Sequence, residues 1–152
     1  MIVPSTGMVY DVDLRTGRYV IGKERLEDYA QMFLSKYWVE ALKTPMPLPV
    51  ENIIEFMGLK LREAKLSPNS DVFGCCFLLD GEVDIFSDEN DNPIKTAFSE
   101  GTVLIDPESV HSMGEGATRN TLIHEAIHWH KDKTFFDVLN LKQKGSNSVF
   151  TP

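Results

Sequence analysis

A chain of 152 residues has room for one domain with a real hydrophobic core and is short for two, so a single compact domain is expected. A formal charge of −8, a pI near 4.9 and the lack of a Lys/Arg cluster argue against direct binding to a nucleic-acid backbone. Two cysteines, no basic-then-apolar leader and no apolar run near the ~20 residues a bilayer requires predict a cytoplasmic protein with no membrane contact.

Residues 8–21 place two β-prone runs around Leu14-Arg15-Thr16-Gly17 and predict a hairpin. From Lys23 to about Leu42, the positions Leu26, Ala30, Phe33, Tyr37 and Ala41 keep helical spacing, and the Pro-rich segment 44–49 stops that helix. This N-terminal hairpin and helix, residues 1–45, precede the body of the chain, residues 46–152. Val50 to Met57 predicts a shorter amphipathic helix with Gly58 as its stop.

Between Leu59 and Asp106 the pattern changes to short β-prone runs: Leu59–Glu63, Val72–Leu79, Glu82–Phe86, Lys95–Phe98 and Thr102–Ile105, with Asp80-Gly81 as a hairpin signal. The run through Cys75 and Cys76 reads as a buried strand. Successive side chains on a strand point to opposite faces, so the two thiols are expected to be reduced core residues rather than a disulfide. The acidic stretch 88–93 lacks the central Gly and terminal Glu of an EF-hand and reads as a solvated turn. His111 falls in a Gly-rich stretch and reads as an exposed loop residue. A helix beginning near Arg119 or Asn120 and ending near Lys131 or Lys133 follows, then a second short helix over Phe135–Leu141. The fold class expected is α+β, with N-terminal helices and a small, mostly antiparallel sheet packed against the helix that carries residues 124–130.

That segment names a chemistry. It reads His-Glu-Ala-Ile-His-Trp-His, and its first five residues match H-E-x-x-H, in which two histidines one turn apart share a face and can reach a single ion at about 2.0–2.1 Å. Glu125 lies beside them, placed to take a proton from a water whose pKa a zinc ion lowers to roughly 7. Plotted at about 100° per residue, Leu122, Ile123, Ala126 and Ile127 form a packing side, and Thr121, His124, Glu125 and His128 a polar one. His130 sits about 200° from His128 and is expected in the packing with a hydrogen-bond partner. Trp129 borders both sides and suits a cleft wall or a core anchor equally.

The order of four segments then resembles the ImmA/IrrE family of zinc metallopeptidases: Pro47 to Leu61 (Pro-Leu-Pro-Val-Glu-Asn-Ile-Ile-Glu-Phe-Met-Gly-Leu-Lys-Leu), Asp80 to Phe86, Thr102 to Val110, and Arg119 to Trp129, which contains the motif. The resemblance covers about residues 46 to 131. It implies a small helix and a β-meander ahead of the metal helix, zinc held by His124 and His128, Glu125 as general base, and cleavage or antagonism of a helix-turn-helix repressor in bacteria and mobile elements. In that family the third ligand is an acidic residue, usually Glu, on the next helix, and a catalytic zinc normally takes three protein ligands plus water. Here no Glu follows Glu125; Asp132 and Asp137 are the acidic residues downstream. Asp132, two turns along the helix from His124, is expected to support His128 rather than to bind the ion. Asp137 is unusually near in sequence, so the expectation is that this is part of a longer protein with its third ligand beyond residue 152. A metzincin would need Gly at 131 and His at 134, where the chain has Lys131 and Thr134. The alternative function is a non-catalytic protein-binding or sensing module with an incomplete metal site.

Overall fold

The computed structural model describes residues 10–87 and 92–150, with side chains to residue 142. The chain divides into two compact units, Met1–Leu48 and Pro49–Pro152.

In the first unit, β1 (Asp11–Val12) and β2 (Tyr19–Val20) pair antiparallel around a turn whose Gly17 takes φ +74, as the sequence predicts. A single 3-10 turn, Lys23–Arg25, leads into α1 (Leu26–Tyr37), and α2 (Glu40–Lys43) follows after a break at Trp38. The expected stripe holds at Phe33 and Tyr37 and fails in its first turn, where Tyr29 replaces Ala30. Leu26 and Ala30 are exposed, and the buried line is Tyr29 and Phe33, continued by Tyr37. Aromatic contact decides the register: Tyr10 stacks on Tyr19 at 5.2 Å, Tyr29 lies 6.3 Å from Phe33, and Phe33 lies 4.8 Å from Tyr37. Rings at i, i+4 and i+8 bury more area than the small Ala30 and Ala41 that the simple spacing selected.

The second unit has mixed α+β structure. The helix α3 (Val50–Phe56) buries Val50, Ile53 and Ile54 and ends at Gly58, whose φ of +78 is the left-handed turn expected of a helix stop. A three-stranded sheet has the order β3 (Lys60–Glu63), β7 (Thr102–Ile105), β4 (Gly74–Cys76), with β3 parallel and β4 antiparallel to β7. All four residues of β7 are buried, which fits a central strand covered on both faces. A separate hairpin pairs β5 (Gly81–Ile85) with β6 (Ile94–Phe98), and residues 88–91 of its connection, most of the acidic stretch, lie outside the described residues.

Asp80-Gly81 is therefore not a hairpin turn, because β4 pairs with β7 and β5 with β6. Asp80 instead accepts the Glu100 amide at 2.8 Å and fixes the turn between β6 and β7. The strand through the cysteines is also shorter than expected: Val72 and Phe73 are exposed, and Cys75 and Cys76 are half-buried free thiols rather than core residues.

Two helices complete the unit. α4 (Pro107–His111) was not expected, although Asp106-Pro107-Glu108 is a helix start: Asp106 accepts the Glu108 and Ser109 amides at 3.0 and 3.2 Å, and proline occupies the first turn. His111 is thus the last residue of a helix, not a loop residue. α5 runs from Glu115 to Phe150 without interruption, so the two helices expected over 119–141 are one. No Gly or Pro separates Lys131 from Leu141, and Lys133 and Asp137 pair across one turn where a break was expected. Despite its length, no helix among the described residues is long and apolar enough to cross a membrane.

Candidate metal centre

Gly114, at φ +92, separates α4 from α5 and lets the chain reverse; Gly114 donates to His111 and Ala117 donates to Gly114 as the new helix opens. Along α5 the buried side chains are Thr121, Leu122, Glu125, Ala126 and Asp132. Of the packing side expected, Leu122 and Ala126 are buried, and Ile123 and Ile127 are half-buried. Thr121 and Glu125, on the polar side expected, lie beneath β4, and His124 stands exposed at the edge.

The two histidines meet. Their Nε2 atoms are 3.0 Å apart and their rings lie edge to face. Two nitrogens bound to one tetrahedral zinc at 2.0–2.1 Å are separated by about 3.3 Å, so the pair fits a shared ion with a shift of a few tenths of an ångström. With no ion the same contact is a hydrogen bond, and its direction follows from Asp132. This carboxylate is 1% exposed; Oδ2 lies 3.1 Å from His128 Nδ1 and Oδ1 accepts from Lys131. An ionised carboxylate only accepts, so Nδ1 carries a proton, and in the neutral imidazole Nε2 of His128 then presents its lone pair. The metal-free ring of His124 then donates from its own Nε2, and that proton must leave or move to Nδ1 when an ion binds.

Glu125 is 8% exposed. Burial raises its carboxyl above the ordinary range, and the neighbouring His124 and His128 pull the other way. A carboxylate that holds a proton more readily than usual, next to a histidine pair, is suited to accept one from a water and release it again.

A cleft of about 460 Å3 opens over these residues, walled by the 71–74 segment on one side and by Thr121, His124 and Glu125 on the other. Gly74 sets its width. A Cβ there would lie 2.8 Å from Thr121 Cγ2 and 2.9 Å from the Leu104 carbonyl oxygen, so β4 approaches the helix as closely as only glycine permits. The wall is held by Asp106, fully buried, whose Oδ2 accepts the Leu66 amide at 2.9 Å and whose own amide donates to Phe73 at 2.9 Å. Ser67 Oγ accepts the amides of Asp71 and Val72 at 3.0 and 3.2 Å. Sequence reasoning missed Gly74 and Asp106; the Asp-Pro pair was the available signal for the second, and nothing local marked the first.

The remaining expected residues are dispersed. Asp132 takes the supporting position behind His128, with its carboxylate on the Nδ1 side of the ring. Asp137 lies nine residues, roughly 13 Å of helix rise, beyond His128 and pairs with Lys133. Lys133 also donates to Leu78 O and Glu100 Oε2 at 3.0 Å each and sits 5.2 Å over Trp129, which packs beside the Gly101 turn. Trp129 is accordingly an anchor of α5. His130 is half-buried, well round the helix from His128. Among the described residues no group of three His, Cys, Asp or Glu side chains is placed to hold one ion. No protein-family model, no curated protein and no solved structure matches the chain.

Proposed function

We propose that the chain is a cytoplasmic zinc-dependent endopeptidase that cleaves a regulatory protein, a helix-turn-helix repressor by the resemblance of residues 46–131 to ImmA/IrrE peptidases. The observation that carries this reading is the 3.0 Å approach of His128 to His124, which lines a cleft beside the buried Glu125. Zinc held by the two histidines would supply the Lewis acidity that makes water nucleophilic near neutral pH. The protein does the rest. Asp132 fixes the tautomer of His128, the 71–74 wall and α5 hold the substrate backbone between them, and Glu125 takes the proton of the attacking water and delivers it to the leaving amine. Two half-buried free thiols fit a reducing compartment.

One observation favours a second reading, a protein-binding or sensing module without catalysis: among the described residues a third ligand does not converge on the histidine pair. Zinc titration of the full chain, followed by mass spectrometry of helix-turn-helix repressors incubated with it, separates the two. The peptidase reading expects one zinc, lost in His124→Ala, and Glu125→Gln that retains zinc while cleavage falls about 10²–10⁴-fold. A chain that takes up no zinc at micromolar metal, or a Glu125→Gln variant that cleaves at an undiminished rate, ends that reading. Zinc uptake and repressor capture without cleavage establish the second.

A further inference from the structure

On the side of α5 turned away from His124, the second unit contains a cavity of about 230 Å3 between α3, β3, α4 and α5. Leu61, Ile105, Val110 and Leu122 give it an apolar lining, and Glu51 and Glu63, both exposed, stand at its rim. Neither carboxylate is paired with a cation among the described residues, whereas the nearby Glu108 is taken by Lys65 at 3.4 Å. Small-molecule sites usually occupy roughly 300–1,000 Å3, so this space suits one long side chain better than a cofactor.

An apolar shaft with two unmatched negative charges at its mouth is the complement of a basic side chain, whose methylene stem packs on aliphatic surface while its head stays at the wet rim. The charge of −8 on the chain adds a long-range attraction of the same sign. His111, at the end of α4, also borders the cavity and offers a ring against which a planar guanidinium can lie. We propose that this cavity is the docking site for an arginine side chain of a partner protein. The site does not depend on metal chemistry, and an occupant leaves the cleft at His124 and Glu125 open.

The test uses the full chain, 15N-labelled and titrated with N-acetyl-arginine methylamide or its uncharged counterpart, N-acetyl-citrulline methylamide. The arginine compound should produce saturable shifts of the Leu61, Ile105, Val110 and Leu122 amides, and the citrulline compound should not. A Glu51→Gln/Glu63→Gln variant, altered only at exposed positions, should bind about three- to tenfold more weakly. Equal binding of the two compounds, shifts located elsewhere, an unchanged affinity in the variant, or no saturation by on the order of 50 mM arginine compound overturns the proposal.

Discussion

A carboxylate with almost no exposure costs several kcal/mol of lost hydration unless its oxygens are engaged. Asp132, at 1% exposure, engages both, one with His128 and one with Lys131. Asp132→Asn keeps the volume but removes the charge that fixes the His128 tautomer, and zinc affinity should fall about 10–100-fold in a competitive chelator titration. An unchanged affinity would show that His128 is oriented by other contacts. The adjacent thiols make a prediction of a different kind. Burial, with the charge of Glu125 adding to it, raises Cys75 to about 11 and Cys76 to about 12 from 9.0. A thiol raised on folding stabilises the native state below its unfolded pKa, and that contribution is lost as pH climbs from 9.0 through 11 and 12. At pH 8 only about one part in a thousand of Cys75 is thiolate, so iodoacetamide should label the native chain at least about tenfold more slowly than the chain in urea. Equal rates in the two states contradict the burial argument.

Elements meet where single atoms allow it, and the contact of β4 with α5 is the clearest case. Gly74→Ala places a methyl 2.8 Å from a side-chain atom of Thr121 and 2.9 Å from the backbone oxygen of Leu104. The threonine methyl has some freedom; the carbonyl of a strand in mid-sheet has little. The substitution should cost about 1–3 kcal/mol, read as a fall in Tm of about 3–10 °C. Adding Thr121→Ser removes only the softer clash and should recover less than half of the loss. Full recovery would place the constraint on Thr121 alone, and no loss at all would mean that β4 moves away from the helix freely. The wider point concerns what spacing can reveal. The first turn of the α1 stripe was misplaced because spacing weighs Ala30 and Tyr29 alike, while packing favours the ring. α5 was expected as two helices meeting near Lys133, and the lysines at that junction pair with Asp132, Asp137 and Glu100.

Across the whole chain, what could be read from the sequence was what is local. The α+β class, the strand positions, the Gly58 stop and the choice of His124, Glu125 and His128 as candidate residues rest on neighbours within a few positions. The pairing of β3 with β7, some forty residues apart, and of β4 with β7 rather than β5 depends on tertiary placement, as do the burial of Glu125 under Gly74 and the bracing of the cleft wall by Asp106. The division after Leu48 carries the last prediction. The second unit assembles its buried side chains from a sheet and three helices, whereas the described residues of the first offer Tyr29 and Phe33 in a unit of fewer than fifty residues, a size at which a core alone rarely sustains a fold. Residues 42–47, at the end of the first unit, are exposed, so a site-specific protease sequence inserted at Met46 should be accepted and cut in the native protein. After cutting and separation, the fragment beginning at Pro47 should keep one cooperative thermal transition within about 5 °C of the uncut chain, and the smaller fragment should lose its helical circular dichroism. Loss of the transition from the larger fragment would show that the buried side chains of the second unit do not suffice to hold it.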